Sequence, residues 1–164
     1  MPAAPVPAQA PDAAGVRAAV ERANSPEVWG AALRRGDPAP LAAVWAGDPL
    51  DYFSREVRAY HARGLRILSS LVDLEFLHVD VLPDGQAVAE TRERWTDRLC
   101  SLDGELRGTR AAVLNDSYEL AWRGEAWWVV GVEIAVEEGS LDWTPPGESA
   151  EPDAACAEAA AADR

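Results

Sequence analysis

Hydrophobic and polar residues alternate most regularly between residues 112 and 136, where two apolar runs meet at Gly124-Glu125. Glycine can adopt the positive φ that a two-residue hairpin turn needs, so the pattern predicts two antiparallel strands joined there. This register places Asp116 opposite Glu133 on one face of the hairpin. Directly opposed carboxylates repel each other, so we expect the pair to be solvated, neutralised by arginine or part of a site.

The other face of this hairpin carries an apolar stripe of Trp128, Val130, Val132 and Ile134. A single layer of helices covers only one face of a sheet. The stripe therefore predicts an outer interface, with either a partner protein or a second copy of the chain.

The first 64 residues have helical periodicity. Asp12 precedes an amphipathic run and predicts a capped helix that continues to Asn24. Ser25-Pro26, Asp37-Pro38 and Asp48-Pro49 each place a capping residue before proline, which favours the start of a helix. The three helices predicted from these dipeptides cover approximately Pro26–Arg35, Pro38–Ala46 and Pro49–Arg63.

From Leu65 the periodicity changes to the alternation of strands. Pro83-Asp84-Gly85 predicts a turn between strands Leu71–Leu82 and Gln86–Leu99. In the first of these strands the apolar positions shift by one near Phe76-Leu77, which predicts a β-bulge. Helices followed by four strands predict an α+β fold, in which N-terminal helices pack on a strongly curved four-stranded antiparallel meander.

Both ends of the chain differ from its centre in composition. Residues 1–11 alternate proline with small residues and residues 144–164 are acidic and alanine-rich, so we expect disordered tails around a domain at residues 12–143. The net charge of −13 disfavours binding to nucleic acid. The absence of a long apolar run or a signal-peptide pattern predicts no membrane insertion and a cytoplasmic location.

The cysteines and histidines form no recognisable motif. Cys100 and Cys156 occur in unrelated settings without CxxC spacing, so we expect structural roles for both and neither a metal site nor a disulfide scaffold. His61 and His78 have no carboxylate at metal-ligand spacing. We therefore predict no metal and no cofactor.

The two strand pairs resemble a known family in the order of their elements and in their residue pattern. The run SLVDLEFLHVDVLPDGQAVAETRERWTD followed by SYELAWRGEAWWVVGVEI is similar to the C-terminal domain of chloroplast-division proteins and its bacterial relatives, within the NTF2-like superfamily. The match covers residues 26–138. The resemblance implies a cone of helices packed into a bent sheet, often with a pocket between them. The superfamily includes enzymes, small-molecule pockets and protein-binding domains, so the resemblance does not determine the function.

Acidic residues on the concave face of the sheet provide the candidate chemistry. Glu93 is predicted to share that face with Asp116 and Glu133, with Tyr118 nearby. A desolvated carboxylate could act as a general base while the tyrosine donates to an oxyanion, as in isomerase-type members of the superfamily. The alternatives are that arginines neutralise the carboxylates, either Arg55 and Arg58 of the third predicted helix or those of the adjacent strand, or that the carboxylates lie at a solvated end of the sheet.

The sequence favours a non-enzymatic binding or scaffolding domain that acts through protein contacts or self-association. The alternative is a pocket for a small hydrophobic ligand, or an isomerase- or cyclase-like enzyme that uses Asp116, Glu93, Tyr118 and Glu133. A deep cavity beside the carboxylates would favour the enzyme, whereas a cavity filled by aromatic side chains would favour the binding domain. The aromatic residues predicted for the pocket are Tyr52, Trp95, Tyr118, Trp122 and Trp127.

Overall fold

The computed structural model describes residues 11–148 and 151–164, and the predicted tail at residues 1–11 lies outside them except for Pro11. The helical elements of the N-terminal part are α1 (Ala13–Ala23), a π-helical turn (Pro26–Gly30) that runs into α2 (Ala31–Arg35), a 3-10 helix (Ala39–Ala43) and α3 (Gly47–Ala62). The elements that follow are β1 (Leu65–Leu82), β2 (Gln86–Ser101), β3 (Leu106–Arg123), β4 (Ala126–Gly139) and α4 (Ala154–Ala162).

Local capping chemistry sets the helix boundaries. The Asp12 carboxylate accepts a hydrogen bond from the Gly15 N–H at 2.8 Å, as the prediction of a capped α1 required. Gly36 ends α2 with a φ of 66°, a left-handed conformation that favours glycine. The predicted helix at Pro38–Ala46 is instead a short 3-10 helix, which ends where Val44 leaves helical geometry with a φ of −139°.

The four strands form one curled, open antiparallel sheet in the order β1-β2-β3-β4. The register of β1 against β2 shifts between Phe76 and His78, which confirms the predicted bulge, and also between Leu71 and Asp73. Bulges bend a strand and strengthen its twist. The sheet therefore curves around the helices, and the α+β prediction is confirmed.

A bulge in β4 changes the register of the hairpin. Near the turn the predicted pairing is observed, but Val130 is an extra residue, and from Glu119 to Leu114 every partner shifts by one before a second irregularity at Val113. Asp116 lies opposite Ile134, whereas Glu133 lies opposite Ser117 on the other face. The predicted Asp116/Glu133 pair is therefore wrong.

The main core lies between the helices and the concave face of the sheet. Apolar residues of α1 and α3 pack there on side chains from all four strands. Its largest fully buried apolar side chains include Val16, Val20, Leu41, Val57, Ile67, Leu120, Trp127 and Val129. None of the helices within residues 11–148 or 151–164 has both the length and the apolar surface of a membrane span.

The C-terminal helix is tied to the outer face of the sheet. A disulfide joins Cys100 at the end of β2 to Cys156 in α4, with a Cα–Cα distance of 5.5 Å. Beside it, Arg66 is buried and donates to the carbonyl of Ala159 at 3.1 Å. The structure thus differs from the predicted disordered tail and from the expected absence of a disulfide, because the two cysteines become neighbours only when the tail folds back.

Candidate functional site

Three polar residues of β2 and β3 meet on the concave face of the sheet. Side chains alternate along a strand, so Glu93 on β2 and Asp116 and Tyr118 on β3 all point towards the helices. Ala89 lies opposite Tyr118, and its small side chain leaves room for the phenol ring. The arrangement brings together three of the four residues predicted for catalysis.

Glu93 is a buried carboxyl group that accepts hydrogen bonds from three donors. Its side chain receives hydrogen bonds from Thr91 Oγ1 at 2.8 Å, Trp95 Nε1 at 2.7 Å and the Tyr118 hydroxyl at 2.6 Å. Only 1% of the residue is exposed. Such donors compensate for much of the cost of burying a carboxylate and hold both of its oxygens in place.

Asp116 is the less satisfied member of the acidic pair. It is 6% exposed, and its Oδ1 receives no hydrogen bond from any described residue. Burial first, and then the negative charge and a hydrogen bond of Glu93, raise the pKa of Asp116 to about 8. Asp116 therefore keeps its proton at neutral pH, because two adjacent buried carboxyl groups cannot both ionise cheaply.

Tyr118 connects the acidic pair to the first helix. Burial, followed by the charges of Glu93 and Asp116, raises its pKa well above the usual value, so the phenol stays neutral. Its hydroxyl donates to Glu93 and accepts from Asn24 Nδ2 at 2.9 Å. Asn24, which caps the C-terminal end of α1, also donates to the Val20 carbonyl at 3.1 Å, so the orientation of its amide is fixed.

A cavity of about 230 Å³ opens beside these groups. Its inner wall is aromatic: the ring of Phe53 packs edge-on against Trp29 at 4.9 Å and against Trp45 at 5.1 Å. The residues that line the cavity are Asn24, Trp29, Leu33, Trp45, Tyr52, Phe53, Glu56, Tyr60, Ile67, Ser69, Glu93, Trp95, Asp97, Arg110, Leu114, Asp116, Tyr118, Val132, Ile134 and Leu141.

An ion pair and the segment after β4 shape another part of this lining. Arg110 Nε donates to Asp97 at 2.7 Å, and Ser69 donates to the same carboxylate at 2.6 Å. The guanidinium also lies 4.1 Å from the ring centroid of Trp143 and donates to the Leu141 carbonyl. The arginine is therefore held by several partners at once.

The structure separates the predicted aromatic pocket into two groups. Trp95 and Tyr52 line the cavity together with Tyr118, although Tyr52 is 53% exposed. Trp122 and Trp127 instead pack on each other near the hairpin turn, with ring centroids 5.4 Å apart. Neither of these two tryptophans lines the cavity.

The register also breaks the predicted outer stripe. Trp128 remains on the outer face, where its indole N–H donates to the Arg123 carbonyl. Past the bulge at Val130, the side chains of Val132 and Ile134 turn to the concave face and line the cavity. The four residues therefore do not form one continuous apolar surface.

The arginines considered as neutralising partners lie elsewhere. Arg55 and Arg58 of α3 line a separate surface groove with Pro38. Neither residue is among the groups that shift the pKa of Asp116. The acidic pair therefore contains a proton in place of an arginine counter-charge.

Several functional neighbours were not predicted from the sequence. Asn24, Thr91, Asp97 and Arg110 contribute hydrogen bonds or charge to the site or its lining. Asn24 and Tyr118 are 94 residues apart, so no local pattern could pair them. The shift of the inward-facing apolar positions of β4 from odd numbers (Trp127, Val129) to even numbers (Val132, Ile134) was a usable signal for the bulge.

The arrangement supports proton chemistry and hydrogen bonding. A carboxylic acid with a pKa near 8 can donate or accept a proton close to neutral pH. In the described part of the chain, no group of three or more His, Cys, Asp or Glu residues is arranged to hold a metal ion.

Comparison with known proteins bears on the fold. A scan against protein-family models and a search of curated proteins gave no match. Among solved structures, the chain is similar to the intermembrane-space region of the chloroplast protein ARC6, with 18% identity, a TM-score of 0.68 and coverage of 77% of this chain and 98% of that one.

Two hexachlorocyclohexane dehydrochlorinases are also similar in structure. The LinA type 2 enzyme has 13% identity, a TM-score of 0.51 and coverage of 81% of this chain and 90% of that one. LinA-type3 from Novosphingobium barchaimii LL02 has 12% identity, a TM-score of 0.52 and coverage of 81% and 91%. At such identities the similarity concerns the fold alone, and the chain has an NTF2-like fold.

Proposed function

We propose that this chain binds a small, largely apolar molecule in the cavity, with a polar group of that molecule placed at Asp116. The observation that carries the proposal is a buried Glu93–Asp116 pair beside a cavity of about 230 Å³ with aromatic walls. Apolar cavities with a few convergent polar groups and perturbed pKa values are the usual form of small-molecule sites.

The size of the cavity limits the ligand. A cavity of about 150 Å³ is sufficient to bind benzene in a protein core. The larger volume here fits one ring with a substituent, so the molecule would be smaller than most cofactors. Because Asp116 titrates near neutral pH, the site also has the acid or base that an isomerase-type reaction would require.

A pair of variants on β4 tests this proposal. Ile134 and Val136 are 45% and 46% exposed, but of the two only Ile134 lines the cavity. We expect single-ring probes such as benzylamine, benzyl alcohol and toluene to shift the NMR signal of the Trp95 indole in the wild-type protein. Ile134→Trp should abolish these shifts and Val136→Trp should retain them. If none of the probes binds, or if Ile134→Trp binds them normally, the proposal fails.

Contact with another protein is the second candidate function. The continuous stripe that favoured it is absent, but β1 is an edge strand whose bulged residues Val72 and Leu77 are more than half exposed. Unpaired edge strands can pair with other chains. A dimer mass in solution that becomes monomeric in Val72→Lys would support this candidate, whereas a monomer at all concentrations tested would count against self-association.

We also infer an oxidising location, in contrast to the cytoplasmic location expected from the sequence. The Cys100–Cys156 disulfide supports this inference, since such bonds are rare in reducing compartments. Alkylation of unreduced source extracts followed by mass spectrometry should find both cysteines protected. Free, alkylated cysteines would contradict the inference.

A further inference from the structure

The cavity combines aromatic walls with an excess of acidic groups. We propose that it selects a small organic cation, with an ammonium group placed at Asp116 and an apolar body among the rings. This inference rests on the proposed function, because it names the class of ligand that the same cavity would take. Aromatic walls with nearby carboxylates are the typical surroundings of bound amines and quaternary ammonium groups.

The charges along the cavity favour a cation over an anion. Four carboxyl side chains line it, on Glu56, Glu93, Asp97 and Asp116, and one arginine does so. That arginine, Arg110, is already paired with Asp97. With Asp116 protonated and Asp97 paired with Arg110, Glu56 and Glu93 still leave an excess of acidic groups, which would attract a cation and repel an anion.

Asp116 provides a second and independent observation. The residue is more than nine-tenths buried and lines the cavity, yet its Oδ1 has no hydrogen-bond partner among the described residues. A buried polar atom without a partner costs free energy. An ammonium group would supply the positive charge, and for an amine also the donor, that the protein does not provide.

The inner wall can accept the apolar part of such a molecule. Phe53 packs edge-to-face on both Trp29 and Trp45, and these two indoles contact each other in a tilted arrangement with ring centroids 6.3 Å apart. The indole N–H of Trp95 and the hydroxyl of Tyr118 are already directed to Glu93. These rings therefore present carbon surface and contribute few free donors, which disfavours recognition of an anionic group.

Without a cation, the proton on Asp116 reduces the repulsion between the two carboxyl groups. When a cation binds at Asp116, the carboxyl group ionises and releases this proton to water, so one positive charge replaces another. The titratable groups nearest to Asp116 are Glu93 on β2 and Tyr118 on β3. The others that line the same cavity are Tyr52, Glu56 and Tyr60 of α3 and the Asp97–Arg110 pair, whereas β4 presents apolar Ile134 opposite Asp116. Affinity for a cation should therefore depend on pH.

The test compares matched probes by calorimetry. Benzylammonium should bind at least about tenfold more tightly than benzyl alcohol, because the two have similar shape and differ in charge. Benzyltrimethylammonium keeps its charge at every pH, so its affinity should rise by up to about tenfold per pH unit until about pH 8 and then level off. Near pH 7, titrations in two buffers of different ionisation enthalpy should show release of about one proton.

Two variants complete the experiment. Asp116→Asn keeps the shape of the side chain but cannot ionise, so it should lose both the preference for the cation and the pH dependence. Glu133→Gln removes an exposed carboxylate from the opposite face and should bind as the wild type does. If benzyl alcohol binds as tightly as benzylammonium, or if the affinity for benzyltrimethylammonium does not change with pH, the cation inference is wrong while the cavity function stands. If neither charged nor neutral probes bind, both proposals fail.

Discussion

At the scale of single residues, the Glu93–Asp116 pair has a consequence for stability. Because burial and Glu93 raise the pKa of Asp116 from 3.8 to about 8, the folded protein holds a proton that the unfolded chain loses. This bound proton contributes fully to the free energy of unfolding below pH 3.8. Its contribution is lost as the pH rises to about 8, by up to about 1.4 kcal/mol per pH unit.

Asp116→Asn removes this titration while retaining the shape of the side chain. We expect the free energy of unfolding of the variant relative to wild type to increase from pH 5 to pH 8 and to stay constant above it. Urea denaturation across this range measures the difference, with Glu133→Gln as the control that should show no such trend. A difference between Asp116→Asn and wild type that does not vary with pH would contradict the shared proton.

Tyr118 is the residue that couples the pair to α1. Tyr118→Phe keeps the ring but removes a donor to Glu93 and an acceptor for Asn24. We expect a loss of about 1–3 kcal/mol in unfolding free energy, because two buried polar groups lose a partner. Tyr52→Phe, at an exposed position on the same cavity, should change stability by less than about 0.5 kcal/mol. Equal effects of the two variants would contradict the network.

At the scale of secondary-structure elements, the sequence predicted helix starts, turns and strands better than strand registers. Capping at Asp12 and the turn at Gly124-Glu125 depend on nearby residues, and both predictions are confirmed. The register of β4 beside the cavity depends on one extra residue, Val130. If the strand is assumed to be regular, Val130 is assigned to the outer apolar stripe and the predicted register is wrong. Gly131, next to it, is a common sign of a bulge.

The disulfide makes α4 dependent on the redox state of the protein. Reduction should lower the free energy of unfolding by up to about 4 kcal/mol, because the bond closes a loop across a sequence separation of 56 residues. It should also increase amide hydrogen exchange in α4, since an isolated helix of nine residues is marginal in water. Thermal unfolding with and without a reductant measures the first effect.

The double variant Cys100→Ala/Cys156→Ala is the control for reduction. It should be less stable than the oxidised wild type and unaffected by the reductant. A melting temperature of the wild type that stays the same after complete reduction would mean that the disulfide does not contribute to stability.

At the scale of the whole molecule, the order of helices and strands was sufficient to predict the α+β arrangement, and the resemblance to the NTF2-like superfamily predicted the cone. The periodicity change near Leu65 separates the helical layer from the sheet, and bulges bend the sheet around it. The cavity was predictable only as a general property of that fold. Its contents depend on contacts such as Asn24 to Tyr118 and Arg110 to Asp97, which join elements distant in sequence.

The position of α4 on the outer face of the sheet was likewise not predictable from the sequence. Burial of α4 against β2 requires Cys100 and Cys156 to meet, and neither the spacing nor the composition of the tail indicates this. An acidic, alanine-rich segment has the composition of a disordered chain. Covalent attachment and the buried Arg66 allow it to remain helical on the sheet.

On the proposed function, the cone encloses a ligand cavity whose polar end is a carboxyl pair that holds one proton. The most direct measurement is an NMR titration of the side-chain carboxyl carbon of Asp116 between pH 3 and pH 10. We expect a midpoint near pH 8 in the free protein, and a lower midpoint when benzyltrimethylammonium is bound. A midpoint close to the ordinary value of 3.8 in the free protein would contradict the account.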